Sequence, residues 1–116
     1  MHQFKNLDFW KRSRVFCSLI YQATKDYPKE EQFGLTNQLR RAAVSIPSNI
    51  AEGAAKTSKK DFNRFLEIAL GSAYEVETQL LISKDLDYLT ESRFTELNSN
   101  LEIIIKQMRS FKNVLV

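Results

Sequence analysis

Histidine and cysteine are almost missing from this chain of 116 residues: each occurs once, as His2 and Cys17. A lone cysteine closes no intramolecular disulfide, and beside Phe16 in an apolar helix it reads as a buried, inert thiol rather than a nucleophile. A lone histidine in a terminus expected to fray supplies neither a His-containing metal cluster nor a general base within the fold. Glycine occurs three times, in no arrangement that forms a phosphate-cradling loop. Long apolar runs are missing as well. Nothing approaches the roughly 18 consecutive apolar residues of a membrane span, and Met1 to Lys5 has no secretory apolar core or cleavage signal. The expectation is a cytoplasmic, non-enzymatic protein with no cofactor, no metal and no membrane partner.

What is present suits one domain over residues 1–116. Hydrophobic residues make up 43% of the chain, enough for a sizeable core at this length. The net charge of +3 is mild, and permits nucleic acid without demanding it. Its distribution is uneven. Lys5, Lys11, Arg12 and Arg14 face only Asp8 in the first stretch, and Lys56, Lys59, Lys60 and Arg64 surround Asp61.

The most informative segment is Ser45-Ile46-Pro47-Ser48-Asn49-Ile50-Ala51-Glu52-Gly53. Apolar Leu39, Ala43, Ile46, Ile50 and Ala54 keep helical spacing through Pro47, so a helix is expected to continue across the proline with a kink. An interior proline donates no hydrogen bond to the carbonyl four residues back, here Ala43, at a cost of about 3 kcal/mol. Ser45 and Ser48 are available to bond freed backbone groups, and Ala42, Ala43, Ala51, Ala54 and Ala55 allow close helix approach. Asn49 and Glu52 lie three apart on one face. They serve either structure and assembly or a bound ligand.

Helix one is expected from an Asp8 N-cap along Phe9, Ser13, Phe16, Ile20, Ala23 and Tyr27, with Trp10 and Cys17 broadening the stripe and Pro28 ending it. Its Lys11, Arg12 and Arg14 form either a solvated face or part of a phosphate-contacting patch. Gly34 supplies a turn and Thr36 or a neighbour opens helix two. There Arg40 and Arg41 either flank a groove or pair with Glu52 or a carboxylate of helix three. Gly53 suits a C-cap, with continuation to Ala55 as the alternative. Ser58 caps helix three, with Asp61 completing an acidic capping box, and the lysines at that helix start make it the expected phosphate corner.

Helix three carries Phe62, Leu66, Ala69, Ala73, Val76, Leu80 and Ser83 in four-three alternation. Gly71 beside Ser72 and Ala73 predicts a close backbone approach. Glu67 and Glu75, two turns apart, are the carboxylates placed for a metal or acid–base pair, or for salt bridges to a neighbouring helix or subunit. Thr90 caps helix four, whose seam is Phe94, Leu97, Leu101, Ile104, Met108, Phe111 and Leu115. Ile103, Ile105 and Val114 fall off that seam. Four amphipathic helices with short connections predict an all-α, antiparallel up-down-up-down four-helix bundle.

The Ser45–Gly53 run, followed by Phe62, Phe65, Leu66, Ala69, Gly71, Ser72 and Glu75, resembles the four-helix-bundle family encoded in intervening sequences of bacterial 23S rRNA genes. That family includes the accessory variability protein of diversity-generating retroelements. The resemblance covers nearly the whole chain. It implies a homopentameric ring and, in the retroelement branch, a basic surface that binds nucleic acid; it implies no catalytic activity.

Two functions are therefore expected to compete. One is a homo-oligomeric bundle that holds RNA or DNA backbone through Lys11, Arg12, Arg14, Arg40, Arg41, Lys56, Lys59, Lys60 and Arg64. Pro47, Asn49, Glu52, Gly53, Gly71 and Glu75 then serve structure and assembly. The other is an oligomeric adaptor that recruits a protein such as a polymerase or reverse transcriptase, without physiological nucleic-acid binding.

Overall fold

The computed structural model describes residues 2–115, in which four helices follow a single 3₁₀ turn at Phe4–Asn6: α1 (Asp8–Thr24), α2 (Leu35–Ala54), α3 (Lys59–Asp85) and α4 (Glu91–Leu115). A second 3₁₀ turn, Lys29–Glu31, lies between α1 and α2. Each helix packs on two neighbours in a closed ring, α1 on α2 and α4, α3 on α2 and α4. Paired contacts fix the directions. Ser45 meets Ser72 and Gln38 meets Gln79, so seven residues back along α2 match seven forward along α3. Glu67 pairs with Lys112 and Lys84 with Glu91, while Phe9 at the start of α1 packs on Phe111 near the end of α4. The bundle is antiparallel throughout. It measures 43 × 25 × 19 Å, so α3, about 40 Å long at 1.5 Å per residue, runs its full length.

The expected stripes form the core. Phe62, Leu66, Ala69, Ala73, Val76, Leu80 and Ser83 of α3 are all buried, as are Leu97, Leu101, Ile104, Met108 and Leu115 of α4. Each such leucine, isoleucine or phenylalanine contributes roughly 1.5–3 kcal/mol by leaving water. Phe94 and Phe111 are half-buried, and of the off-seam residues Ile105 joins the core while Ile103 and Val114 stay exposed.

Helix ends divide by mechanism. Ser58 Oγ accepts from Asp61 N at 3.1 Å and Thr90 Oγ1 from Arg93 N at 3.1 Å, the two expected serine and threonine caps. Asp8 is not a cap: it is the first helical residue, behind Leu7, where its charge favours the helix dipole. Of the two openings expected for α2, Thr36 or a neighbour, it is the neighbour Leu35 that begins the helix, behind Gly34. Thr36 is buried one position inside, and the orphan Leu35 N–H is taken by Glu31 Oε1 at 3.1 Å. The other Glu31 oxygen accepts from Tyr88 Oη at 2.9 Å, which ties the α1–α2 loop to the α3–α4 turn. Helix α1 stops at Thr24 rather than reaching Pro28, leaving Tyr27 buried in the turn, where its ring packs on Tyr88. Helix α3 ends with Asp87 at φ 61°, and the bonds Asp87 N to Lys84 O and Tyr88 N to Ser83 O form a Schellman cap on an aspartate. His2 is tied down rather than frayed. Its N–H donates to Ala54 O at 2.9 Å, and its ring meets Phe62 and Phe111 edge-on.

Helix α2 continues through Pro47, and the offset differs from the expected one. Cys17 Sγ, on α1, donates to the Ala43 carbonyl at 3.2 Å, the group left free by the missing proline N–H. Ser45 turns instead to Ser72 Oγ, and Asn49 Nδ2 bridges the Ser45 carbonyl and hydroxyl at 2.8 Å each. Ser48 is exposed. Burial raises the Cys17 thiol to about 11, against a smaller lowering by the residue's own backbone N–H. At pH 8 only about one thiol in a thousand is then ionised, so alkylation by iodoacetamide is expected to run about a hundredfold slower than in urea-unfolded chain. Equal rates would show that the thiol is not held on Ala43.

Candidate nucleic-acid interface

Antiparallel packing gathers charges that are distant in sequence. Divided at the helix midpoints, one half of the bundle comprises residues 2–16, 45–71 and 103–115. That half carries eleven of the seventeen lysines and arginines and four of the fourteen acidic residues, Asp8, Glu52, Asp61 and Glu67; the other half carries six and ten. The molecule is bipolar along its long axis. Among the described residues, Lys112 is the only basic side chain of the positive half with a carboxylate partner, Glu67 at 3.5 Å. The other cations are left to solvent or to a polyanion.

The α2–α3 corner is the densest part. Ser58 caps α3 directly behind exposed Lys59 and Lys60, so free helix N–H groups and two ammonium groups share one small region. Lys56 Nζ lies 5.2 Å and Arg64 Cζ 5.6 Å from the centroid of half-buried Phe65, which holds both cations on an aromatic support. A hollow of ≈ 110 Å³ beside them is floored by Phe62 and Leu115 and edged by His2, Lys56, Ser58 and Lys59. Lys11, Arg12 and Arg14 are exposed at the same end, with Arg14 5.8 Å from the Trp10 ring, but on α1, diagonal to α3. These clusters surround the end rather than form one stripe.

Arg40 does not belong to this group. Its Nε donates to Thr24 Oγ1 at 2.9 Å and its guanidinium covers the Tyr21 ring at 4.6 Å, so it staples α1 to α2 and pairs with no carboxylate. Arg41 is exposed, but in the acidic half. In their place the structure adds Lys106, Arg109 and Lys112 of α4, with Arg109 hydrogen-bonded to Tyr74 Oη and lying over its ring. Their spacing of three on one outward face was visible in the sequence; that this face flanks the α2–α3 corner was not. Two tyrosines are engaged within the bundle: Tyr74 supports Arg109, and Tyr88 is held by Glu31, whose carboxylate raises the phenol's pKa.

The six residues expected to serve structure and assembly separate clearly. Pro47 and Asn49 belong to the α2 seam just described. Gly53 lies in the last turn of α2, and the C-cap is Ala55: a Cβ at Gly53 would lie 2.8 Å from Phe65 Cβ and 2.9 Å from Phe62 Cδ1, so its absence lets α2 and α3 close up. Gly71 is the opposite case. Beyond its own helix, nothing among the described residues lies within 4 Å of its missing Cβ, and the close approach expected there does not occur within the subunit. Glu52 is exposed, and Glu75 accepts from Gln79 Nε2 at 3.4 Å. Among the described residues no group of three or more histidine, cysteine or acidic side chains is placed to hold a metal ion, and no helix is long and apolar enough to cross a membrane.

A ring of four antiparallel helices with a polar α2 seam and a cationic end defines a small, charge-polarised bundle protein. Its sequence matches the profile of the 23S rRNA-intervening sequence protein family over residues 5–110, and the chain belongs to that family. Among solved structures it is similar to a protein of unknown function from the S23 ribosomal protein family of Bacteroides thetaiotaomicron. That match has 28% identity and a TM-score of 0.84, covering 90% of this chain and 95% of the other. No protein of curated function matches the sequence.

Proposed function

We propose that this chain is a non-enzymatic, cytoplasmic, homo-oligomeric bundle that binds RNA or DNA backbone through its basic half, without reading base sequence. The observation that carries the reading is the segregation of charge: ten cations without a carboxylate partner among the described residues, at one end, gathered from all helices except α2 and from the loops beside them. The chemistry is phosphate neutralisation with counterion release, so affinity falls steeply with salt. Titration of labelled RNA and DNA at several salt concentrations tests it.

Assembly is the second part of the reading, with a five-subunit ring drawn from the family resemblance. Ile68 and Ile82 are exposed on one outer stripe of α3, with open Gly71 between them and exposed Val44 on the adjoining helix. A small residue flanked by exposed apolar ones suits the close approach of a second subunit. Gly71→Trp is expected to leave the subunit folded, because the position is exposed and its Cβ direction opens to solvent, and to reduce the mass seen by light scattering to that of a monomer. An unchanged oligomeric mass would remove Gly71 from the interface.

A further inference from the structure

The acidic half has a feature of its own. Phe33, in the loop before α2, is 86% exposed, and Leu86, at the end of α3, is 50% exposed. Phe33 lies two residues beyond Glu31 and Leu86 two residues before Tyr88, so the Glu31–Tyr88 contact sets both apolar residues at the same end of the bundle. The Glu31–Tyr88 hydrogen bond and the Tyr27–Tyr88 ring contact hold the loop and the turn against each other, so the two apolar side chains stand on a braced platform. Asp26 and Glu30 are exposed in the same loop as Phe33, and Asp85 and Asp87 flank Leu86 in sequence and are exposed as well. Of the local cations Lys84 is taken up by Glu91 at 3.0 Å and by the Phe94 ring, and Arg93 by Glu96 at 3.5 Å. Lys25 and Lys29 are what is left.

A solvent-facing phenylalanine and leucine ringed by carboxylates is a hot-spot arrangement, with apolar anchors at the centre and charge at the rim. It repels polyanions and suits the opposite charge. We infer that this end docks a basic amphipathic protein segment, whose apolar side chains cover Phe33 and Leu86 while its lysines and arginines meet Asp26, Glu30, Asp85 and Asp87. The inference does not rest on nucleic-acid binding, which uses the other end. It gives the adaptor role a surface and a partner chemistry.

A fluorescein-labelled synthetic amphipathic peptide of leucine and lysine is the probe, with a lysine–serine peptide of equal charge as control. Anisotropy is expected to show binding to the wild type, about tenfold weaker for the control peptide and about tenfold weaker for F33A/L86A. Phe33 is almost fully exposed and Leu86 half exposed, neither belongs to the buried core, and a circular-dichroism melt of F33A/L86A checks that the fold is kept. Amide chemical shifts are expected to move in Lys25–Leu35 and Ile82–Arg93 and to stay fixed at the α2–α3 corner. Three results would overturn the inference: equal binding by F33A/L86A, shifts spread over the whole surface, or a salt-sensitive self-association lost in F33A/L86A, which would make a second copy the occupant.

Discussion

Gly53→Ala lowers the melting temperature by roughly 10 °C, the cost of overpacking by about 2–3 kcal/mol in a chain of this size. Helix propensity alone gives the opposite sign, since alanine is favoured over glycine by about 1 kcal/mol in a helix interior and by less in the last turn, where Gly53 lies. Packing decides the matter. The new methyl carbon would sit 2.8 Å from Phe65 Cβ, 2.9 Å from Phe62 Cδ1 and 3.3 Å from the Phe62 carbonyl. Phe62 is fully buried against Phe111 and cannot swing away, and the carbonyl is part of the first turn of α3, so the whole helix start must move. Because that start carries Lys59, Lys60 and Arg64, the variant should also weaken any ligand held there. Thermal melts followed by circular dichroism settle the sign, and a rise in melting temperature would mean that α2 and α3 do not approach as closely as described.

Charge reversal at the corner is the second large effect. K59E/K60E/R64E is expected to reduce affinity for RNA or DNA by about a hundredfold at low salt, corresponding to about 3 kcal/mol spread over three lost phosphate contacts. The control is built into the substitution. All three side chains are exposed, and glutamate in the first turn of α3 favours the positive end of the helix dipole, so folding is not impaired. Arg41→Glu, in the acidic half, should change affinity by no more than about twofold. Equal losses in the two variants would show that overall charge, not the basic end, governs binding.

The sequence disclosed the parts of this molecule that repeat. The four-three alternation of α3 and α4 is legible because one buried face forces it, and Ser58 and Thr90 are legible because a cap acts on residues two or three positions away. What stayed hidden depends on contacts between distant residues. Gly53 and Gly71 look alike in sequence, yet one closes a helix–helix contact and the other faces open space. The Ala43 carbonyl freed by Pro47 was predictable; its partner, Cys17, lies 26 residues away on another helix. Glu31 reads as a loop charge until Tyr88, 57 residues on, and the Leu35 N–H are seen to share its two oxygens.

The candidate site followed the same division. The clusters at Lys11–Arg14 and Lys56–Arg64 are local runs, and were legible as such. Their union with Lys106, Arg109 and Lys112 at one end requires the antiparallel pairing of α4 with both α1 and α3. Arg40 carries the reverse lesson: beside Arg41 it reads as half of a basic pair, but Thr24 and Tyr21 claim it for the α1–α2 contact.

The measurement closest to the central claim is the salt dependence of binding, by fluorescence anisotropy with labelled single- and double-stranded RNA and DNA, on protein whose mass has been checked by light scattering. With about four to six phosphates engaged per bound end, log affinity should fall linearly with log salt at a slope of about −3 to −5, with little difference between sequences of one strand type. A flat salt response, or no binding at low salt, would contradict the basic end as a nucleic-acid surface.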